Sequence, residues 1–205
     1  MKNLLETITT NPVQLGELRW DHEPPRVEKL PGGLRVTVPG RADYFQNPAG
    51  EDMSNDSAPY LWKMIEGDFV ARARVKPAFD HVYDAGAIMV RHDAKTWAKL
   101  CFERTDFGTH AVVSVVTRGV SDDSNHPDLE TPDAWLQVAR VGSVFAMHYS
   151  LDGEHWRMVR YFGLDVPAAV KVGIVAQCPS GPGATIDLLH FSIEARTIAN
   201  LRAGV

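Results

Sequence analysis

Residues 97–103, with the sequence WAKLCFE, contain a clear strand pattern in this 205-residue chain. Successive side chains of a β-strand point to opposite faces, so residues two apart share a face. One set is apolar and consists of Ala98, Leu100 and Phe102. The other set mixes charges with an aromatic ring and consists of Trp97, Lys99, Cys101 and Glu103. This alternation predicts a strand whose apolar face packs between two sheets while its polar face lies outside them.

Short β-prone runs separated by turn signals recur on both sides of this segment. We predict ten strands, at residues 34–38, 69–75, 85–91, 97–103, 111–118, 135–141, 144–150, 157–161, 171–177 and 185–193. Asp152-Gly153 accepts the positive φ angles of a hairpin turn, and Gly142 joins two more strands, so residues 135–161 are predicted to form a three-stranded meander. Helix is expected only as one turn near residues 3–9. The pattern indicates an all-β, two-sheet antiparallel sandwich.

Composition limits the class of protein. A single domain over residues 1–205 is expected, because β-sandwiches reach this size as one unit. The net charge of −5 and the absence of a Lys/Arg block argue against a nucleic-acid partner. No apolar run is long enough to cross a bilayer, and the first residues lack the apolar region of a secretory signal, so we expect a cytoplasmic protein without a membrane partner. Cys101 and Cys178 are predicted to be buried free thiols.

Several kinds of chemistry lack their motifs. The chain has no phosphate-binding loop, no dinucleotide-binding glycine motif and no nucleophile elbow. His81 and His92 could meet across a hairpin, and the acidic residues Asp122, Asp123 and Asp128 could supply oxygen ligands to calcium. Neither group has the spacing of a defined metal site, so we expect no metal and no cofactor.

Strand parity also suggests which side chains share the outer face. In residues 111–118 the alternation places Val113 and Val115 inward and Ser114 outward. In residues 135–141 it places Leu136 inward. If these strands neighbour residues 97–103, one sheet exposes Trp97, Lys99, Glu103, Ser114, Trp135 and Gln137. Flat aromatic rings beside hydrogen-bonding groups suit a sugar, which has apolar ring faces and hydroxyl edges.

Two long polar segments, residues 41–60 and 119–133, are predicted to be loops beside the binding region, because long loops in compact domains are often functional. The predicted ligand-binding set therefore also includes Asp43 and Tyr44 from the first segment and Ser121 from the second. Arg91, at the end of a predicted strand, completes this set.

Five segments in this order resemble a known family. They are Gly67-Asp68-Phe69, residues 84–91 (DAGAIMVR), residues 97–103, residues 115–122 (VVTRGVSD) and residues 149–156 (YSLDGEHW). Together they are similar to the uncharacterised family that includes the yeast regulation-of-enolase protein. The resemblance covers roughly residues 15–195. It implies a concanavalin A-like lectin/glucanase jelly roll with ligand on the concave sheet.

The resemblance also implies that Lys99, Glu103, Ser121 and Asp122 stand at recurrent polar positions of the family. A tryptophan is expected after the Ser-Asp pair, but here Asp123 takes its place, which removes a possible stacking platform.

Three functions remain open. The first is a module that binds a carbohydrate or polyol on the concave face. The second is a glycoside hydrolase with Glu103 and Asp122 as the acid and base, which requires two carboxyl groups within about 10 Å of each other. The third is a protein-interaction domain that regulates metabolism, with a protein partner or a second copy of the chain.

Overall fold

The computed structural model describes residues 1–50 and 54–205, which form β-strands and one 3-10 helix, Leu4–Thr7, but no α-helix. The strands are β1 Thr9–Thr10, β2 Val13–Gln14, β3 Arg19–Asp21, β4 Arg26–Leu30, β5 Gly33–Pro39, β6 Tyr44–Phe45, β7 Asn55–Asp56, β8 Tyr60–Glu66, β9 Phe69–Pro77, β10 Ala85–Arg91, β11 Thr96–Arg104, β12 His110–Arg118, β13 Val120–Asp128, β14 Ala134–Val141, β15 Val144–Ser150, β16 Arg157–Gly163, β17 Ala169–Gln177 and β18 Gly183–Glu194. No helix in the described ranges is long and apolar enough to span a membrane.

Two antiparallel sheets of seven strands form the body of the protein. The front sheet has the order β13-β12-β11-β10-β17-β8-β3, and the back sheet has the order β16-β15-β14-β9-β18-β5-β4. Two further two-stranded sheets pair β1 with β2 and β6 with β7. The predicted all-β, two-sheet antiparallel sandwich is therefore confirmed.

The apolar core lies between the two sheets, and glycine allows them to approach closely. A Cβ atom on Gly86 of β10 would lie 2.7 Å from the Cβ atom of Val75 in the back sheet, so this position faces the core. Gly86 pairs with Phe102 of β11, and directly paired residues share a face. Phe102 and Leu100 therefore point between the sheets, while Lys99 and Glu103 point outward, as the alternation predicts.

Each of the ten predicted strands overlaps an observed one, and the meander of residues 135–161 is confirmed as β14-β15-β16. The turn between β14 and β15 contains Gly142 at φ +60°. In the hairpin between β15 and β16, the Asp152 carboxylate accepts hydrogen bonds from the backbone N–H groups of Glu154 and His155, each at 2.8 Å. Cys101 and Cys178 are buried free thiols, as predicted.

One predicted loop is wrong. Most of residues 119–133 belong to β13, which is the edge strand of the front sheet and pairs with β12. An edge strand keeps one side of its backbone and one face open to water, so the polar sequence VSDDSNHPD and its Pro127 are compatible with it. Strand β8 was not predicted, although its sequence, YLWKMIE, is largely apolar.

Candidate functional site

A cavity of about 440 Å³ lies on the outer face of the front sheet. Its floor includes Lys99 and Glu103 from β11 and Gln177 from the end of β17. Strand β12 contributes Val115, which pairs with both Lys99 and Asp123 in one row across three strands. The remaining lining residues are Arg41, Asp43, Phe45, Asn47, Tyr83, Thr105, Asp106, Asp123, Asn125, Pro179 and Ser180.

The cavity is covered by residues 41–47, which we call the cover segment. Its backbone pairs with the end of β17, where Ala42 and Cys178 exchange hydrogen bonds of 3.2 and 2.9 Å. At its other end, the N–H of Gln46 donates to the hydroxyl of Ser121 at 2.9 Å, and its carbonyl accepts from the Ser121 N–H at 2.8 Å. The segment therefore spans the front sheet from β17 to β13.

Lys99 is the central charge of the site. Its ammonium group donates hydrogen bonds to Asp43 Oδ1 and Gln177 Oε1, both at 2.9 Å, and only 2% of the residue is exposed. Burial alone would lower the pKa of Lys99, but the Asp43 carboxylate beside it raises the pKa above its ordinary value. The group stays charged because its hydrogen bonds and the nearby negative charge offset the loss of hydration.

Glu103, unlike Lys99, is uncharged at neutral pH. Burial raises its pKa to about 8, against the lowering effect of Lys99, and the negative charges of Asp123 and Asp43 add to the increase. The carboxyl group is therefore protonated at neutral pH and can donate a hydrogen bond into the cavity. Asp123 stands at the cavity mouth, where partial burial raises its pKa, Lys99 lowers it and Asp43 raises it.

The aromatic side chains Phe45 and Tyr83 supply apolar surface to the cavity. The phenol of Tyr83 donates a hydrogen bond to Asp106, and this bond raises the pKa of Tyr83 to about 12. The cavity thus combines carboxyl, amide and ammonium groups with two aromatic rings.

Several predicted site residues lie around this cavity, but not all of them are accessible. Lys99, Glu103 and Asp43 line it. Trp97 shares their face but is only 1% exposed, so the expectation of an exposed stacking platform is wrong. Its ring packs edge-on against Tyr44, with centroids 6.4 Å apart, and its indole N–H donates to the Ala94 carbonyl. The sequence alone could not show that the cover segment would bury this ring.

Tyr44 and Arg91 form a neighbouring polar cluster instead of lining the cavity. The Arg91 guanidinium lies 5.2 Å from the Tyr44 ring centre and forms ion pairs with Asp21 and Asp56. Ser121 is buried, and its hydroxyl hydrogen-bonds to the Thr117 hydroxyl and accepts from the N–H of Gln46 in the cover segment. These three residues support the site from outside the cavity.

Asp122 does not face the cavity, which corrects its predicted pairing with Glu103. It lies opposite Val116 in β13, and its carboxylate pairs with the Arg160 guanidinium of β16 at 2.9 Å. The next residue, Asp123, points to the other face and lines the cavity. Because residues 119–133 were predicted as a loop, no strand parity was assigned there that could have separated the two aspartates.

Ser114, Trp135 and Gln137 are also absent from the cavity. Ser114 pairs with Leu100 and therefore faces the core, which is the reverse of the prediction for β12. The residues on both sides of Ser114 are valines, so the sequence does not indicate which face of this strand points inward. Trp135 and Gln137 belong to β14 in the back sheet. Gln137 bonds there to Arg72 and to the Gly204 carbonyl. The predicted neighbour relation between this strand and residues 97–103 is wrong.

Gln177 and Asp123 are the main contributors that sequence reasoning missed. Gln177 meets Lys99 across 78 residues of sequence, and no local pattern encodes that contact. Asp123 could have been found if the alternation of Ser121, Asp123 and Asn125 had been interpreted as one face of a strand.

Two seven-stranded antiparallel sheets, packed face to face with a covered cavity on one outer face, define a concanavalin A-like sandwich. The family model described as protein of unknown function (DUF1349) matches residues 20–196, so the chain belongs to this family.

The chain is similar to the Saccharomyces cerevisiae protein named Regulation of enolase protein 1. The two are 27% identical over 183 residues, which cover 89% of this chain and 91% of the yeast protein. A crystal structure of a functionally unknown protein from Saccharomyces cerevisiae has a TM-score of 0.82 and 27% identity, with 88% of this chain and 97% of that chain covered.

More distant structures share only the fold. A mutant of the GH43 protein BlXynB from Bacillus licheniformis has a TM-score of 0.73 at 15% identity, covering 95% of this chain but 39% of that chain. The exoplasmic/lumenal domain of VIP36, in a Ca²⁺/Man3GlcNAc-bound form, has a TM-score of 0.56 at 8% identity, with 91% and 87% covered.

The raised pKa of Glu103 predicts a pH-dependent stability. The carboxyl pKa is about 8 in the folded protein and about 4.5 in a solvated chain, so the folded state holds this proton more tightly between these pH values. The free energy of unfolding must therefore fall as pH rises through this window, by up to about 1.4 kcal/mol per pH unit from this group. Because Glu103→Gln has no proton to lose, its stability relative to wild type should rise from pH 4.5 to 8.

Urea unfolding of both proteins at several pH values measures this difference. Glu66→Gln, at an exposed position of the same sheet, is the matched control and should follow the wild-type curve. Parallel curves for wild type and Glu103→Gln would contradict the assignment.

Proposed function

We propose that the cavity binds a small, uncharged polyhydroxylated ligand of the carbohydrate or polyol class. The observation that carries the proposal is the convergence of Asp43, Lys99, Glu103, Asp123 and Gln177 on one cavity of about 440 Å³. This volume lies in the range of small-molecule sites. A hydroxyl group both donates and accepts hydrogen bonds, and these side chains offer acceptors and donors on the same floor.

The charge of the lining favours an uncharged ligand over an anion. Four acidic residues, Asp43, Glu103, Asp106 and Asp123, face two basic ones, Arg41 and Lys99. Lys99 is already bonded to Asp43 and Gln177, so it is not a free anion-binding group. A phosphate or carboxylate ligand would meet unfavourable charge from the aspartates.

The aromatic walls support the same class. Phe45 and Tyr83 present flat apolar surface at the cavity, and the apolar face of a sugar ring can pack against such surface. The fold is also that of the VIP36 domain, which is described in a Man3GlcNAc-bound form, and of part of a GH43 protein. Those likenesses add support at the level of the fold.

Adjacent aspartates provide a sharp test of ligand binding. Asp123 faces the cavity, whereas Asp122 faces away and pairs with Arg160. We expect at least one neutral sugar or polyol in a calorimetric panel to bind the wild type. Asp123→Ala should then weaken binding by about 10- to 100-fold, the value of a hydrogen bond to a charged group.

Asp122→Ala is the matched control, and its affinity should stay within about twofold of wild type, since surface changes away from a site have small effects. Failure of every neutral ligand to bind, or equal losses in both variants, would contradict the proposal.

Glycoside hydrolysis is the second candidate, and the raised pKa of Glu103 is the observation that favours it. A general acid must hold its proton near neutral pH, as this carboxyl group does. Asp122 faces away from the cavity. Of the aspartates that line it, Asp43 is bonded to Lys99 and Asp106 to Tyr83, which leaves Asp123 as the second carboxylate. Glu103 lies four residues from Lys99, about 13 Å along β11, while Asp123 lies in the row of Lys99. Asp123 is also two strands away from β11, so its Cα atom and that of Glu103 are more than about 13 Å apart. Hydrolysis therefore requires both side chains to extend toward each other until their carboxyl groups reach the inverting spacing of about 6.5–9.5 Å, and the retaining spacing of about 5–5.5 Å is shorter still.

Chromogenic aryl glycosides test this candidate directly. If the wild type hydrolyses one of them, Glu103→Gln should lower kcat by at least about 100-fold, because general acid catalysis contributes that much. Asp122→Ala should keep the wild-type rate. No turnover by the wild type, or an unchanged rate in Glu103→Gln, would exclude Glu103 as the acid.

Interaction with a protein partner or a second copy of the chain stays a prediction, as does a cytoplasmic location. The name of the yeast relative refers to regulation of enolase, which agrees with the class of a metabolic regulator. It does not identify a surface on this chain.

A further inference from the structure

Three side chains with metal-binding atoms meet next to the cavity without lining it. His81 and Asp84 belong to the loop between β9 and β10, and Cys178 follows the last residue of β17. One ligand atom from each lies within 4.8 Å of the other two, and His81 Nδ1 is 3.6 Å from Asp84 Oδ2. His81 and Asp84 are three residues apart, whereas Cys178 lies 94 residues beyond Asp84 (178 − 84) and is brought to them by the pairing of β10 with β17.

The cluster contains polar atoms that the described part of the chain leaves without a hydrogen-bond partner. Asp84 is fully buried, and its Oδ1 has no partner there. Its Oδ2 accepts from the backbone N–H of His81 at 2.9 Å, and the Cys178 thiol lies within hydrogen-bonding reach of the same carboxylate. The buried Nδ1 of His81 is likewise without a partner. An unsatisfied buried polar group costs about 1–3 kcal/mol, so two of them together require an explanation.

The backbone of Gly181 packs directly against the same atoms. A Cβ atom on Gly181 would lie 2.6 Å from His81 Nδ1 and 2.9 Å from Cys178 Sγ. Any larger residue at this position would displace the imidazole or the thiol, so Gly181 lets the two ligand atoms come together in a buried cluster.

We propose that His81, Asp84 and Cys178 bind a zinc ion. Zinc takes nitrogen, oxygen and sulfur ligands in tetrahedral geometry, at bond lengths of about 2.0–2.3 Å, which separate neighbouring ligand atoms by about 3.3–3.8 Å. The 3.6 Å between His81 and Asp84 matches this spacing, and small side-chain movements bring in the sulfur. Calcium and magnesium prefer oxygen ligands alone, so the thiol and imidazole select against them.

Zinc binding releases one proton from the Cys178 thiol. The Cys178 S–H bond breaks, its proton passes to solvent, and the thiolate forms the Zn–S bond. Three protein ligands leave the fourth position to water. The ion would connect the β9–β10 loop to the end of β17, where Cys178 also pairs with Ala42 of the cover segment. This inference is independent of the proposed sugar binding.

Calorimetry with zinc chloride on the chelator-treated full chain tests the site. We expect one ion per chain, and His81→Ala should weaken binding by at least about 100-fold, since even outer-shell changes cost 10- to 100-fold. His81 is 39% exposed as a side chain, so this variant should fold. His92→Ala, at an exposed histidine, should bind zinc as the wild type does.

Cobalt(II) identifies the sulfur ligand. The cobalt-loaded wild type should show a thiolate-to-metal charge-transfer band, which Cys178→Ser removes and Cys101→Ser retains. If Cys178→Ser does not fold, the wild-type band and the His81→Ala titration decide the question. The proposal is overturned if the wild type binds no zinc, if His81→Ala binds it equally well, or if the cobalt spectrum lacks a thiolate band. If instead the Cys178 thiol shares its proton with Asp84 and the cluster holds no metal, the wild type should bind no zinc.

Discussion

The buried ammonium group of Lys99 is the constraint on which the candidate site depends. Removing a charge from water costs several kcal/mol, and the cost is offset only when hydrogen bonds and an opposite charge replace the lost hydration. Gln177 supplies one bond from the neighbouring part of the sheet, and Asp43 supplies the other together with its negative charge. The cover segment that carries Asp43 is therefore held over the front sheet, and the space beneath it becomes a cavity.

The same charge arrangement sets the chemistry of the cavity. Burial of Glu103 outweighs the lowering effect of Lys99, whose ammonium group is already bonded to Asp43 and Gln177, so Glu103 keeps its proton near neutral pH. The result is a floor with a charged donor, a neutral acid, an amide and carboxylates. Such a floor matches hydroxyl groups better than it matches phosphates. The apolar core packs against the opposite face of the same strands and supports this floor.

The fold could be predicted from the sequence where apolar and polar side chains alternate along a strand. Residues 97–103 have one apolar and one polar face, so their register was predicted correctly. Residues 111–116, AVVSVV, are apolar on both faces, and Ser114 was assigned to the wrong side. The partners of Lys99 could not be predicted, because Gln177 and Asp43 are 78 and 56 residues away from it. Assigning Trp135 to the front sheet failed for a related reason: strands close in sequence can belong to different sheets.

A double-mutant cycle between Lys99 and Asp43 tests the central claim most directly. Urea unfolding of wild type, Lys99→Met, Asp43→Asn and the double variant gives the coupling free energy of the pair. The account predicts a coupling of about 1.5–3 kcal/mol, as expected for residues in one buried network. The exposed pair Arg26 and Glu28 serves as the control and should give less than about 0.5 kcal/mol. Losses for Lys99 and Asp43 that add within about 0.5 kcal/mol would contradict the claim that this pair holds the cover segment in place.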